Sequence, residues 1–343
     1  MNAKEESLAK GELFGCSVCD GLEHTVLSSV FDDRYGHPVT FQLAQCRQCG
    51  HVMTLPRLSE ADLPELYGTY YPRKALTAEL VARQAAQAQT RMARLSRWWM
   101  GGDNQGQLDV KPGERMLDVG CGSGLSIIVA KGMGADAYGV EADPNVQVLA
   151  KELNLAIHQG SIHDHPFPGV SFDVVVLNQV IEHIPEPGLT LQVIAGRLTP
   201  GGRIILVFPN RSSFYSRIFG MRWINWHIPY HLHHFNLSGF RNMAERYGLQ
   251  MVRHRTITPN LWTFLQLRAA LKKPMQGQPS PVWAVAAAAS GGTSVGGNKL
   301  LRKTLKLAIL PMLLGLFGVV NRCVDLLGQG DCLMVELRRE QGP

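Results

Sequence analysis

A glycine-rich turn is the clearest chemical motif in the chain. Residues 118–124 read Asp-Val-Gly-Cys-Gly-Ser-Gly and follow a short apolar strand predicted at Arg115–Val119. Gly120, Gly122 and Gly124 let the backbone turn tightly and approach a ligand without side chains in the way. The spacing is G-x-G-x-G, whereas dinucleotide-binding turns carry G-x-G-x-x-G and aim a helix N-terminus at a pyrophosphate. The motif therefore differs from the dinucleotide pattern, and Asp118 at the strand end can hold an ammonium group or polarise nearby backbone donors.

Polar residues also stand where the next predicted strands end. Glu141 closes the second strand, 21 residues beyond Gly120, and can accept both hydroxyls of a ribose through its two oxygens. Asp143 takes this role if the register is shifted by two residues. Ser161 and Ile162 follow the third strand, and Asn178 follows the fourth. Because ligands bind beyond the carboxyl ends of strands in open α/β sheets, we expect these residues to line one binding crevice.

Four of the seven cysteines form two Cys-x-x-Cys pairs near the N-terminus, namely Cys16, Cys19, Cys46 and Cys49. Each pair can chelate one metal ion, and four thiolates complete a tetrahedral zinc site. The 26 residues between the pairs exceed the usual zinc-ribbon spacing, and spare ligands stand nearby at His24, His37 and His51. With four thiolates the coordination is closed, so we predict structural Zn²⁺ and keep unbound thiols as the alternative.

A second polar cluster, Trp-His-Ile-Pro-Tyr-His-Leu-His-His-Phe, occupies residues 226–235 after the fifth predicted strand. Histidine titrates near neutral pH and can remove the proton of a hydroxyl group during a reaction. We predict His231 as the first catalytic candidate, then His227 and Tyr230, and then His183 on the loop after strand four. Metal binding and a purely structural role for these side chains remain open alternatives.

Alternating strands and helices position these residues. Strands are predicted at Arg115–Val119, Asp136–Glu141, Ala156–Gln159, Phe172–Leu177, Arg203–Phe208, Leu249–Ile257 and Cys332–Arg338, and helices at Leu125–Gly132, Asn145–Asn154, Leu189–Leu198 and Leu237–Tyr247. Such alternation predicts an α/β fold with a parallel sheet covered by helices on both faces. Residues 56–108 are predicted to be largely helical, and a strand-like run lies at His37–Leu43.

The C-terminal region interrupts this alternation. Residues 272–298 are rich in Pro, Gly, Ala and Ser and predict a flexible insertion, whereas residues 299–328 are strongly apolar and predict helix. The apolar stretch Leu307–Val320 contains Pro311 and is shorter than the roughly 20 residues of a membrane-spanning helix. Cations precede it at Lys299, Arg302, Lys303 and Lys306. Residues 299–328 therefore predict either a helix pair in peripheral membrane contact or a cover packed on the protein core.

Together, Asp118–Gly124, Phe172–Leu177, Glu182-His183 and Pro200–Gly202 resemble class I S-adenosylmethionine-dependent methyltransferases, in the group with ubiquinone-type and sugar methyltransferases. The resemblance covers residues 112–258. It implies S-adenosyl-L-methionine as cofactor and a Rossmann-like seven-stranded sheet whose last strand is antiparallel. It also implies that Ser161 and Ile162 meet the adenine ring, although this group often carries an acidic residue where Ser161 stands.

The cysteine pairs and the segment Tyr67–Pro72 resemble the N-terminal zinc-binding part of sugar C-methyltransferases. We therefore expect a zinc-binding module over residues 1–60 and a helical linker or cap over 61–110. A cofactor-binding core over 111–260 and a helical insertion with the final strand over 261–343 complete the predicted organisation.

The leading functional prediction is methyl transfer to a small molecule, a sugar or a lipid-linked glycan intermediate. A ribosomal RNA methyltransferase with a zinc module is the alternative that the net charge of +6 favours, but the basic residues are scattered and form no stripe with aromatic residues. A non-catalytic zinc-bearing binding protein is disfavoured by the intact glycine turn and Glu141. The polar N-terminus, without the apolar core of a secretory signal, predicts a cytoplasmic location.

Overall fold

The computed structural model describes residues 15–71, 77–88, 90–103, 105–283 and 299–340. In chain order its strands are β1 (His24–Phe31), β2 (Thr40–Cys46), β3 (Val52–Leu55), β4 (Arg115–Val119), β5 (Asp136–Glu141), β6 (Ala156–Gln159), β7 (Phe172–Asn178), β8 (Leu198–Pro209), β9 (His233–His234), β10 (Leu249–Ile257) and β11 (Cys332–Arg339). Its helices are α1 (Leu63–Thr69), α2 (Ala78–Ala88), α3 (Arg91–Met100), α4 (Leu125–Gly132), α5 (Val146–Glu152), α6 (Pro187–Gly196), α7 (Phe214–Phe219), α8 (Leu237–Arg246), α9 (Asn260–Ala270) and α10 (Lys299–Leu326).

Two units are distinguished by their internal contacts. The sheet unit contains the described residues within 75–209, 240–257 and 332–343. The thiol unit contains those within 1–74, 210–239 and 258–331, and it holds the four paired cysteines.

The sheet unit is built on seven strands in the order β10-β11-β8-β7-β4-β5-β6. The pairs from β8 to β6 are parallel, and β11 runs antiparallel to both of its neighbours, β8 and β10. The central strand β7 carries the run Val174–Leu177, which is fully buried, as expected for a parallel strand covered on both faces. This topology confirms the predicted Rossmann-like sheet with an antiparallel last strand.

The strand order places the predicted ligand crevice. Strand β4 pairs with β5 on one side and with β7 on the other, so the chain reverses its direction of sheet growth at β4. Open α/β sheets bind ligands at the carboxyl edge of such a switch point. The turn after β4 and the residues that end β5 and β7 all lie on that edge.

Several predicted boundaries need correction. Strand β8 begins at Leu198 and not at Arg203, because Leu198 pairs with Phe172 and the Pro200–Gly202 segment is absorbed as a shift of register. Helix α6 begins at Pro187, where proline suits the first helical position. The run predicted at His37–Leu43 is shifted, since β2 is formed by Thr40–Cys46.

The thiol unit contains an antiparallel sheet in the order β1-β2-β3-β9. The turn that holds Cys16 and Cys19 precedes β1, and the turn from β2 to β3 holds Cys46 and Cys49. Strand β9 adds residues His233 and His234 to this sheet by pairing with β3. The segment with the paired cysteines and residues 226–235, which we call the histidine loop, therefore contribute strands to one sheet.

Two helices of the same unit, α9 and α10, pack against each other. Residues 299–326 form a single helix that continues through Pro311, so the predicted helix pair within 299–328 is wrong. No helix among the described residues is long and apolar enough to cross a membrane. The part of the predicted flexible insertion at residues 284–298 lies outside the described residues, and so do the side chains of residues 299–311.

Candidate functional site

The three glycines of the turn after β4 have different surroundings. All adopt positive φ, which favours glycine. A Cβ on Gly120 would lie 2.5 Å from a methyl of Val180, and one on Gly124 would lie 2.6 Å from Leu155, so these two glycines allow close packing. A Cβ on Gly122 would meet nothing within 4 Å. Gly122 therefore marks the point where a ligand can approach the backbone.

Asp118 lies beside this turn as a buried carboxylate, only 2% exposed. Its Oδ2 accepts a hydrogen bond from the Ser126 hydroxyl, while its Oδ1 has no hydrogen-bond partner among the described residues. Burial raises the pKa of Asp118 to about 7, the Ser126 hydrogen bond opposes the shift, and the charge of Glu141 adds to it. A cationic ligand group would compensate this buried carboxylate, as the amino group of S-adenosylmethionine could.

Glu141 ends β5 and is tied to the glycine turn. Its Oε2 accepts the backbone amide of Gly122 at 2.8 Å, and its Oε1 accepts the amide of Asp143 at 3.0 Å. Each carboxylate oxygen retains a second lone pair, so the predicted ribose contact is compatible with both bonds. The alternative residue Asp143 instead accepts from Asn145 at the start of α5, through the backbone amide at 2.9 Å and the side chain at 2.7 Å.

Ser161 caps a short 3₁₀ turn formed by Ile162–Asp164. Its hydroxyl accepts the amide of His163 at 3.2 Å, and Asp164 Oδ2 accepts the amide of Ser161 at 2.7 Å. The Ser161 hydroxyl can still donate its proton, for example to a ring nitrogen of adenine. The side chain of Ile162 is buried, so a contact from this residue would come from its backbone.

Asn178 ends β7, and its side chain is hydrogen-bonded to Gly106 and Gln107, which the sequence did not indicate as part of the site. Its Oδ1 accepts the amide of Gly106 at 2.7 Å, and its Nδ2 donates to Gln107 Oε1 at 2.9 Å. A Cβ on Gly106 would lie 2.7 Å from Val176, so glycine is needed for this approach. The 106–107 segment has no motif of its own, and only the three-dimensional structure reveals it.

His183 lies on the 3₁₀ turn Ile181–His183 after β7, and its amide donates to the Val180 carbonyl at 2.9 Å. The neighbouring Glu182 is 1% exposed, and burial raises its pKa to about 8. A neutral carboxyl group is therefore stable on this loop near neutral pH.

The histidine loop of the thiol unit carries the other catalytic candidates. His231 Nδ1 lies 2.8 Å from the Asn225 carbonyl, which can only accept, so Nδ1 carries the proton. His231 Nε2 lies 3.3 Å from His227 Nδ1. In the neutral pair His231 Nε2 must accept, so His227 Nδ1 is the donor and His227 Nε2 is the nitrogen without a proton.

Tyr230 is buried in an aromatic cluster. Its ring centroid lies 5.0 Å from that of His227, 5.4 Å from Tyr35, 5.5 Å from Tyr67 and 5.1 Å from Tyr71. Burial raises the pKa of Tyr230, with smaller contributions from nearby acidic groups. The phenol therefore stays protonated and is suited to donate a hydrogen bond more than to remove a proton.

The four paired cysteines form a compact cluster, with all sulfur atoms within 4.8 Å of one another. Cys16 Sγ lies 3.6 Å from Cys49 Sγ, and Cys19 Sγ lies 3.5 Å from Cys46 Sγ. A tetrahedral zinc site with Zn–S bonds of about 2.3 Å separates its sulfurs by about 3.8 Å. Burial raises the pKa of Cys16 to about 11, and a divalent cation would supply the charge that stabilises the thiolate. The donor set fits Zn²⁺.

Comparison with known proteins identifies the family. The family described as "Methyltransferase domain" matches residues 73–254, which is more than half of the chain. A protein of Cereibacter sphaeroides named ubiquinone biosynthesis O-methyltransferase is 34% identical over 145 residues, covering 40% of this chain and 58% of that protein. A protein of the same name from Xanthomonas campestris pv. campestris is 31% identical over 134 residues, covering 36% of this chain and 56% of that protein.

The chain thus spans little more than half the length of these two relatives. A structure described as a SAM dependent methyltransferase from Archaeoglobus fulgidus superposes with a TM-score of 0.41 at 14% identity, covering 82% of this chain and 100% of that one. The family match confirms the predicted enzyme class and supports S-adenosylmethionine as methyl donor. This chain belongs to the methyltransferase-domain family.

Proposed function

We propose that the chain transfers a methyl group from S-adenosylmethionine to a hydroxyl of a small-molecule acceptor, a sugar or a lipid-linked glycan intermediate. The observation that carries the donor assignment is Asp118, a buried carboxylate with one unengaged oxygen beside the open backbone of Gly122. S-adenosylmethionine supplies an electrophilic methyl group on a sulfonium. The chain supplies positioning, which can lower the barrier of such a displacement by roughly 7–11 kcal/mol in favourable cases.

The donor would be held along the carboxyl edge of the sheet unit. Asp118 binds the amino group of the methionine part, the glycine turn makes room for it, and Glu141 accepts the ribose hydroxyls. Ser161 and Ile162 serve the adenine ring. Asn178 acts mainly by fixing residues Gly106 and Gln107 at the end of β7.

Four residues remain our catalytic candidates, namely His231, His227, Tyr230 and His183. A hydroxyl acceptor must lose its proton during methyl transfer, and a neutral histidine is suited to take it near pH 7. The hydrogen bonds within the histidine loop engage both nitrogens of His231 and make His227 Nε2 the nitrogen without a proton. We assign proton removal to this pair and hydrogen-bond donation to Tyr230.

The names of the two relatives support oxygen as the accepting atom, because both are called O-methyltransferases. The sugar or lipid-linked class rests on the resemblance of the N-terminal cysteine module to sugar C-methyltransferases. A lipid-linked acceptor would place the chain at a membrane, as in one of the two alternatives that the sequence leaves open for residues 299–328.

Structural Zn²⁺ completes the proposal for the thiol unit. The four sulfur atoms are spaced as in a closed tetrahedral site, and four thiolates leave no coordination position for a substrate. The ion would therefore hold the two turns together without taking part in methyl transfer.

Isothermal titration calorimetry with S-adenosylhomocysteine tests the donor site. We expect micromolar binding by the unmodified chain and weaker binding by Glu141→Ala, since each hydrogen bond to a charged group contributes roughly 1.5–3 kcal/mol. Glu152→Ala, which removes an exposed carboxylate of α5, should bind as the unmodified chain does. Binding of NADH without binding of S-adenosylhomocysteine would refute the donor assignment.

A further inference from the structure

Helix α9 buries polar residues in place of apolar ones. Asn260, Thr263 and Gln266 recur at every third position and are at most 5% exposed. Polar residues of this kind usually face water in globular proteins. Their burial means that this face of α9 is held by hydrogen bonds and not by apolar packing.

The buried hydrogen bonds link α9 to α10 and to neighbouring segments of the thiol unit. Asn321 of α10 is 0% exposed, its Nδ2 donates to Asn260 Oδ1 at 2.9 Å, and its Oδ1 accepts the Tyr215 hydroxyl at 2.6 Å. Gln266 Oε1 accepts the amide of Ile224 at 2.8 Å. These polar groups are satisfied inside the unit, so hydrogen-bonded polar side chains join the two helices.

The outer surface of the pair is apolar. Large apolar side chains point outward from α9 and its C-terminal end and from one side of α10, with Leu271 85% exposed and Met312 68% exposed. The others that define this apolar face are Leu261, Leu267, Leu316 and Val319. Buried polar side chains that join helices beneath an apolar exterior are typical of helices that pack in lipid, where polar side chains bind helices together.

Basic side chains border the apolar face at the C-terminal end of α9. Lys272 and Lys273 are exposed, and Arg268 lies 5.6 Å from the centroid of the Phe264 ring. The described parts of α9 and α10 carry a single acidic residue, Asp325, which is paired with a neighbouring arginine at 2.8 Å. The border of the face is therefore positively charged.

We propose that the apolar face of α9 and α10 docks on an anionic phospholipid bilayer. Leu271, Met312 and Leu316 enter the boundary of the acyl chains, and the cations at residues 268, 272 and 273 meet the headgroups. A two-fold contact with a second copy of the chain would pair each patch with its own symmetry mate and crowd the two basic borders together. The charge pattern thus favours lipid. Docking does not depend on methyl transfer.

Sedimentation of the full chain with vesicles tests this proposal. The vesicles contain phosphatidylcholine with about one third phosphatidylglycerol, and we expect the chain to sediment with them. The double variant Leu271→Glu, Leu316→Glu should lower partitioning at least tenfold, because two exposed apolar anchors are lost. Lys272→Glu should lower binding to the anionic vesicles by about fivefold or more and have little effect with pure phosphatidylcholine.

The matched control is Val148→Glu, which places the same charge at an exposed apolar position of α5 in the sheet unit. It should sediment as the unmodified chain does, and thermal unfolding followed by circular dichroism should show that all variants fold. Failure of the unmodified chain to bind vesicles would overturn the proposal. Sedimentation equilibrium that reveals a dimer, dissociated by the Leu271→Glu, Leu316→Glu variant, would assign the face to a second copy instead.

Discussion

Two regions of the molecule are stabilised in different ways. One is the carboxyl edge of the sheet unit where the methyl donor is proposed to bind, which we call the donor edge, and the other is the histidine loop of the thiol unit. At the donor edge, backbone amides and carboxylates near strand ends bind each other, as Glu141 does with Gly122 at 2.8 Å. The histidine loop depends on partners that are distant in the chain. The Thr54 hydroxyl donates to the His231 carbonyl at 2.7 Å, and the Asn225 side chain donates to Asp331 at 3.2 Å.

Asp331 shows how strongly the loop depends on distant residues. This fully buried carboxylate accepts from Ser213 at 2.6 Å and from the Trp223 ring nitrogen at 2.9 Å, in addition to Asn225. Burial raises its pKa to about 6, although the hydrogen bonds from Ser213 and Trp223 oppose the shift. The histidine loop should therefore respond to damage elsewhere in the thiol unit, whereas the donor edge should respond to changes within the sheet unit.

Loss of the thiol cluster should have the largest difference in effect on the two units. We expect protein prepared without chelator to contain about one zinc per chain, and Cys49→Ser to lose it. Structural zinc binding contributes roughly 10–16 kcal/mol in small domains, so the thiol unit should unfold well below its normal temperature. Binding of S-adenosylhomocysteine should largely persist, because the donor edge belongs to the sheet unit.

Cys323→Ser is the matched control for this prediction, since Cys323 is exposed and lies outside the cluster. Its metal content and unfolding temperature should be unchanged. A chain that contains no zinc by elemental analysis, or a Cys49→Ser protein with unaltered unfolding, would contradict the structural role of the metal.

The histidine pair gives the next prediction. If His231 and His227 act as one proton-accepting unit, His231→Ala should lower turnover by roughly 10²–10⁴-fold. The double variant with His227→Ala should lose little more, because residues that act together are not additive. Turnover is measured as release of S-adenosylhomocysteine with a panel of sugar nucleotides and phenols.

The loss should shrink at high pH, where solvent can take the proton, and affinity for S-adenosylhomocysteine should be unchanged. His254→Ala removes an exposed histidine of β10 and should retain normal turnover. A structural role for the pair would appear instead as lower thermal stability together with weaker donor binding. Normal turnover of the His231→Ala protein would leave Tyr230 or His183 as the candidates.

The parts of the molecule that were predicted correctly are those that residues close together in the sequence determine. The bounds of β4, α4, β5, β6 and β10 agree with the prediction. The glycine-rich turn, for example, separates β4 from α4. Asp118 and Gly122 belong to the glycine-rich motif, which lies within the seven consecutive residues 118–124. The four cysteines form a cluster, as their paired spacing predicted.

The remaining features depend on contacts between distant residues. Nothing near Gly106 indicates that its amide binds Asn178, and nothing near Asn321 indicates that it is buried against Asn260. The Pro200–Gly202 segment indicates a turn by its composition, but the pairing of Leu198 and Arg203 with β7 on either side of it makes it part of β8. Tertiary pairing overrides local preference at such positions.

The last prediction concerns Asp118 and tests how the donor edge responds to a change within the sheet unit. Its pKa of about 7 lies above the usual value for an unfolded chain, so the folded state holds the proton more tightly. The resulting stabilisation is complete below about pH 4 and is lost as the pH rises to about 7. Asp118→Asn removes this loss, and between pH 4 and pH 8 its free energy of unfolding should improve relative to the unmodified chain by about 4 kcal/mol, because each unit of pKa shift corresponds to about 1.4 kcal/mol.

Denaturant unfolding of the donor-free proteins at several pH values measures this difference, with Glu152→Gln as a control that changes an exposed carboxylate. The same substitution should weaken S-adenosylhomocysteine binding, because a neutral amide cannot compensate the ligand's ammonium group. In the unmodified chain, affinity should rise as the pH increases through about 7, since the charged form of Asp118 holds the ligand. Parallel stability profiles for the Asp118→Asn and unmodified proteins would show that this carboxylate is charged at all pH values tested. An Asp118→Asn protein that binds S-adenosylhomocysteine as tightly as the unmodified chain would remove Asp118 from the donor site.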